Sequence, residues 1–377
     1  MAVDPSLAGL EVLREARTPD DVCDALRAAG VAGAVAAGWA RRVGDGWAEV
    51  RGGETDTLFD LASVTKPCTA IAVARSGIAL STPMGACVEE AAASASADVP
   101  LELFLAHRAG LEAHLPLYAP LERGEPVDRA AALRRAAEAR RPDAVGVAPP
   151  DGFAPLYSDL GYLLAGEALA RRSGADDAGD AIDALVGAPL GLTRELGTPR
   201  QLARAIGAGE LTERAAPTEI VAWRGGAVRG RVHDENAWAL AGEGGAGHAG
   251  LFGTVGATLA LGRAFYELVV DRRGPLSRRD DGAAVDASFT TRPRPGGTLL
   301  AGFDGKSTAG SSAGELAGPR TFGHLGFTGT SLWIDPDAGT LVVLLTNRVH
   351  PTRDSVRIRA ARPPAHDALF RMARAAR

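Results

Sequence analysis

Lysine is almost missing from this chain: Lys66 and Lys306 are its two lysines in 377 residues, and arginine supplies nearly all of the positive charge. Cysteine is scarce too. Cys23, Cys68 and Cys87 are odd in number and lack metal-type spacing, which argues against a disulfide framework and leaves them as small buried hydrophobes. No run approaches the ~20 apolar residues of a membrane span. No cluster of Lys/Arg interleaved with aromatics marks a nucleic-acid surface. Neither a membrane nor a nucleic acid is therefore an expected partner. The opening "MAVDPSLAGLEVLREARTPDD" lacks the basic and long apolar regions of a secretory signal, so the expected location is cytoplasmic, or periplasmic if a leader has been removed. The seven histidines show no H-E-x-x-H or comparable spacing, so neither a catalytic zinc nor any other cofactor is expected.

What is present is enough apolar material, 46% of residues, for one large domain or two lobes. Residues 6–30 carry helical spacing that stops at Gly30. Two strand-like runs follow, "AGAVAAGWARR" and "GWAEVRGG", around a "VGDG" turn. Residues 67 to 240 read mostly as helix and loop. Beyond about 297, "TLLAGF", "GTSLWID" and "TLVVLLTNR" return to strand composition, with "DPDAG" as a hairpin turn, and "HDALFRMARAAR" closes the chain as a helix. The pattern predicts an α/β plus all-α architecture. Residues 1–66 and 241–377 are expected to build an α/β lobe around one sheet and residues 67–240 an inserted, mainly helical lobe, with any functional site expected between them.

The stretch "FDLASVTKPCTA" joins these regions and places Ser63 one helical turn ahead of Lys66. A serine hydroxyl needs a nearby base to become nucleophilic, and positions i and i+3 bring the two side chains onto one face. Pro67 is tolerated in a first turn, so the helix has barely begun. The helix mouth together with burial is expected to lower the Lys66 pKa and make it the base. S-x-x-K alone is a weak signal and needs partners. In "LYSDLGYLLAGEALARRSG", Tyr157 stands on a loop before a buried helix, where its hydroxyl can relay a proton, and Asp159 can order the pocket. Alternatively Ser158 or Asp159 is simply the helix N-cap. In "FGHLGFTGTSLWIDPDAGTLVVLLTNR", His324 and Gly326 precede a strand whose edge can approach a ligand; a loop histidine can equally be structural.

In this order the three elements resemble the serine β-lactamase and penicillin-binding protein superfamily, in its class C and esterase-like branch. "LFDLASVTK", "FLAHRAGL", "YSDLGYLLAGEALARRSG", "VHDENAWAL", "GHAGLF" and "GHLGFTGTSLWIDPDAGTLVVLLTNRVHP" extend the likeness over most of residues 31–350. It implies a β-lactamase/transpeptidase-like fold, an antiparallel sheet flanked by helices with an inserted helical lobe. It further implies Ser63 as acylated nucleophile, Lys66 as its base, Tyr157 as proton relay, and the backbone N–H groups of Ser63 and Phe327 as oxyanion hole. Asp159 stands where many relatives have asparagine. His324 and Leu325 replace the Lys-Thr of K-T-G, which removes a fixed charge and a hydroxyl suited to a substrate carboxylate. The expected partner is therefore a small ester, amide or peptide, with esterase-like hydrolysis ahead of class C β-lactamase or D-Ala-D-Ala carboxypeptidase activity. A non-catalytic binding module on the same fold is the alternative from another class. Asp159, His324 and Gly326 are the expected substrate contacts, and His233, Asn236 and His248 form a second tier. Nothing in the sequence fixes an oligomeric state.

Rival motifs lack their context. "GSSAG" around Ser312 has no strand before it or helix after it, "GEGGAG" at 242–247 follows a helix-like segment, and "GKS" at 305–307 has Leu300 where a P-loop needs glycine.

Overall fold

The apolar runs from opposite ends of the chain meet in one antiparallel sheet. In the computed structural model, which describes residues 9–376, Val35–Val43 lies between Gly46–Gly53 and Thr340–Thr346. The sheet continues through Ser331–Asp335, Phe322–Leu325 and Asp304–Gly305. Register pairs Ala37 with Leu344 and Leu332 with His324. Along Thr340–Thr346 successive side chains serve opposite faces. Val342 and Leu344 join the helices Pro19–Ala28 and Arg357–Ala375, whereas Leu341, Val343 and Leu345 join Leu259 and Phe265 of the helix Val255–Val269. Both faces are covered, so this strand reads as a continuous apolar run rather than an alternating one. Each such fully buried Val or Leu contributes roughly 1.5–3 kcal/mol. Gly38 allows the close approach, since a Cβ there would meet Leu259 Cδ1 at 2.8 Å.

The remaining helices form the other side of the molecule, where Thr65–Ser76 packs along Asp159–Ser173 beside Leu101–Leu105 and Arg129–Glu138. A small second sheet, Phe59–Asp60, Phe252–Gly253 and Leu196–Gly197, leads the chain into Thr65–Ser76.

Three elements differ from the sequence expectation. Residues 6–30 are not one helix: of the described part, Glu11–Arg14 is a 3-10 turn, and Thr18 starts a new helix through a capping box with Asp21. "TLLAGF" is no strand, because Gly302 at φ 102° reverses the chain and leaves a bridge between Leu299 and Asp304. The closing helix begins at Arg357 rather than His366 and runs through Pro363 and Pro364. Prolines ordinarily stop a helix. Here Ile358, Ala361, Ala365, Leu369 and Phe370, all buried against the sheet, offset the missing hydrogen bonds.

Candidate active site

Ser63 lies in the 3-10 turn Ala62–Val64, immediately ahead of Thr65–Ser76, with Pro67 in that helix's first turn where its missing N–H costs nothing. The turn is held from below. The buried Asp60 carboxylate accepts from Ala62 N at 2.8 Å and His233 N at 2.9 Å, and Ala62 takes the left-handed φ of 46° that tips the next residue outward. It is also held from the loop joining Phe322–Leu325 to Ser331–Asp335, where Thr328 Oγ1 donates to Asp60 O at 2.6 Å and Thr330 Oγ1 to Leu61 O at 3.0 Å.

Lys66 is fully buried, and its Nζ lies 2.9 Å from Ser63 Oγ, 2.7 Å from Asp159 Oδ1 and 3.3 Å from His248 O. The ammonium also sits 4.7 Å from the Tyr157 ring centroid. Burial by itself pushes the Lys66 pKa down, as the sequence suggests, but the Asp159 carboxylate, with help from Tyr157, outweighs it and the net shift is upward. The expected neutral lysine is thus an ammonium ion in the resting site. Asp159 is free for this pairing because Ser158 is the N-cap: its Oγ accepts from Gly161 N at 3.3 Å and donates to Glu112 O at 2.6 Å. Burial raises the Tyr157 phenol pKa, while Lys66 and Ser63 both favour its phenolate.

The Tyr157 ring is aligned by a residue that no sequence pattern singles out. His107, in "FLAHRAGL", stacks on Tyr157 at 4.6 Å between centroids, and its Nδ1 accepts from Ser158 N at 3.0 Å. Burial, reinforced by Lys66 and His324, holds its pKa well below the usual histidine value, so it is a neutral ring carrying its proton on Nε2. The left-handed φ of 58° at His107 is a feature of the folded backbone with no sequence signal.

His324 is buried with its ring centroid 6.0 Å from that of Tyr157, and its Nδ1–H donates to Leu325 O at 2.8 Å. Burial, then Lys66, pushes its pKa down to about 3. It is a neutral wall beside the phenol and brings no cation where K-T-G would have one. Gly326 turns the chain toward Ser63: a Cβ there would meet Thr330 Oγ1 at 2.0 Å and Leu61 O at 2.5 Å. Among the described residues neither Ser63 N nor Phe327 N has a protein acceptor.

A cleft of about 450 Å³ opens over these groups, lined by Ser63, Tyr157 and Asp159 on one side, Leu325, Gly326 and Phe327 on the other, and Tyr118, Arg353 and Arg359 at the rim. The second-tier residues divide. His233 lines the cleft, with its ring under that of Phe327 at 6.0 Å and Nε2 3.1 Å from Glu219 Oε2. Asn236 does not line it: its amide is used up by Leu117 N at 2.9 Å, Tyr118 N at 3.2 Å and Leu115 O at 2.8 Å, so it fastens the rim loop. His248 is buried behind Lys66 and bonds Asp234 Oδ1 at 2.9 Å. Ser312 is away from the cleft, on a loop whose carbonyl accepts from His366. Among the described residues no helix is long and apolar enough to cross a membrane.

The sequence profile of the Beta-lactamase family matches residues 20–365. A protein of Escherichia coli strain K12 named "Putative D-alanyl-D-alanine carboxypeptidase" is 31% identical over 206 residues, which cover 53% of this chain and 46% of that one. The chain thus spans about half the length of the curated relatives it matches. Among solved structures, a beta-lactamase from Mycobacterium bovis superposes with a TM-score of 0.57 at 21% identity, covering 97% of this chain and 98% of that one. EstCE1, a hydrolase with promiscuous acyltransferase activity, gives 0.63 at 19%, covering 97% and 98%. A class C beta-lactamase variant gives 0.63 at 17%, covering 95% and 96%. At these identities the structural likeness speaks for the fold, the β-lactamase/transpeptidase-like one. With the family profile running from the first long helix into the last, this chain belongs to the Beta-lactamase family.

Proposed function

We propose that the protein hydrolyses small carboxylic esters through an acyl-enzyme on Ser63. The observation that carries this reading is the 2.9 Å contact between Ser63 Oγ and the fully buried Lys66 Nζ. The Lys66–Tyr157 pair, once it has given up a proton, takes the one from Ser63 as the oxygen attacks the carbonyl. The developing oxyanion rests on the N–H groups of Ser63 and Phe327. Tyr157 returns the proton to the departing alkoxide, and water then attacks the acyl-enzyme by the same route to release the acid. Neutral His324 and apolar Leu325 leave the K-T-G position without a cation or hydroxyl for a carboxylate, which supports esters over β-lactams and D-alanyl peptides.

A second reading, D-alanyl-peptide hydrolysis, draws on the name of the E. coli relative and on Arg359, exposed at the rim with no carboxylate partner among the described residues. Fluorophosphonate labelling with a panel of p-nitrophenyl esters, nitrocefin and D-Ala-D-Ala peptides tests both. We expect labelling and ester turnover in the wild type and neither in Ser63→Ala. Turnover of nitrocefin or peptide as fast as that of the best ester reverses the ranking, and labelling that persists in Ser63→Ala removes the nucleophile assignment.

A further inference from the structure

Two buried arginines beside the cleft have no carboxylate partner. Arg362 is 8% exposed and Arg348 9% exposed, and neither forms an ion pair among the described residues. An unpaired buried charge is costly, and a protein ordinarily supplies a counter-ion. Arg362 instead donates to backbone carbonyls of the loop 326–330, and Arg348 divides its donors between that loop and the segment 353–355, where its Nη1 meets Arg353 O at 2.9 Å and Ser355 O at 3.0 Å. Arg362 Nη2 donates to Gly326 O at 2.7 Å and to Thr330 O at 3.0 Å, and its Nε has no partner. Arg348 Nε donates to Phe327 O at 2.8 Å, with its guanidinium carbon 4.4 Å from the Phe327 ring centroid. Burial, then Arg348, pushes the Arg362 pKa down to about 9, so it stays charged at neutral pH.

The carbonyl of Gly326 and the N–H of Phe327 belong to one planar peptide group. A charged donor on the oxygen draws electron density from the nitrogen, and hydrogen bonds in such chains strengthen one another. We infer that Arg362 is a positioning residue of the oxyanion loop: its bond to Gly326 O aims and strengthens the Phe327 N–H, and its unpaired charge finds its counter-ion in the tetrahedral oxyanion. Arg348 holds the next peptide through Phe327 O. This rests on Ser63 acylation as proposed above.

The test compares Arg362→Gln with Arg362→Lys in p-nitrophenyl ester turnover and in inhibition by phenylboronic acid, whose serine adduct is a tetrahedral anion. Arg362→Gln is expected to lower kcat/KM about 10- to 100-fold, less than the ~10²–10³ lost when an oxyanion donor is deleted outright. Its phenylboronic acid Ki should rise by the same factor, with KM within about twofold of wild type. Arg362→Lys keeps a charge beside the carbonyl and should hold both quantities within about fivefold. Unchanged kcat/KM and Ki in a folded Arg362→Gln, or a loss carried by KM alone, overturns the inference. Should Arg362→Gln fail to fold, Arg362→Lys decides, and a full 10- to 100-fold loss there overturns it as well. Wild type that takes no fluorophosphonate defeats the nucleophile reading instead, so the two failures are separable.

Discussion

At the scale of single residues the governing balance is between burial and Asp159 at Lys66. The carboxylate wins, and the lysine is held as an ammonium whose pKa lies above its ordinary 10.5. A group that must lose its proton before it can accept one from Ser63 makes kcat/KM climb with pH across the alkaline range. Asp159→Asn removes the opposing charge and leaves burial in command, so the Lys66 pKa falls and the rising limb moves to lower pH. A pH–rate profile for each protein checks this, and a limb that stays in place or moves to higher pH assigns the ionisation to another group. Ser63 and Lys66 were legible in the sequence because a helical turn joins them. The state of Lys66 was not, because its decisive neighbour is 93 positions away. His107 and Arg362 were invisible for the same reason: each acts through a backbone atom of a distant segment, His107 through Ser158 N and Arg362 through Gly326 O.

At the scale of elements, the site depends on how a helix begins and how a strand ends. Ser158 caps Asp159–Ser173, and its own N–H is anchored on His107, so one residue sets both the helix start and the aim of Tyr157 and Asp159. Ser158→Ala should cost about 0.5–2 kcal/mol of stability, as N-cap removals do, and should lower kcat because the phenol and carboxylate lose their anchor. Urea unfolding and ester kinetics on the same sample check both, and a stability loss with unchanged kcat confines Ser158 to capping. The strand Phe322–Leu325 ends at Gly326, which has no room for a Cβ between Thr330 Oγ1 and Leu61 O. Apolar runs and turn residues made the last two strands and their hairpin readable. The final helix was misread at its start because proline is a local signal, whereas the burial of Ile358 and Ala361 that overrides it is a property of the packed sheet.

At the scale of the molecule, the end of the central strand must be fastened to the segment that walls the cleft, or the oxyanion loop would drift from Ser63. Asn347, just past Thr340–Thr346, accepts from Ala34 N at 2.8 Å and donates to Pro217 O at 3.0 Å. Beside it Glu219 accepts from His233 at 3.1 Å and from Arg353 at 2.5 Å, and Arg353 also pairs with Glu235. These contacts join residues far apart in sequence, so no local pattern announced them. Although partial burial opposes ionisation at Glu219, bonds to His233 and Arg353 prevail and bring its pKa down from 4.5 to about 2. A carboxylate whose folded pKa is depressed stabilises the fold fully above its unfolded value, and that contribution is lost as pH falls from about 4.5 toward 2. Glu219→Gln should therefore lower the unfolding free energy by about 1.5–3 kcal/mol at pH 7, the range for hydrogen bonds to charged groups. The gap between variant and wild type should close as the buffer is taken down through that window, because wild type loses there what the variant never had. Urea titrations of both proteins at several pH values measure the gap, and one that stays constant into acid would show that Glu219 contributes packing rather than charge.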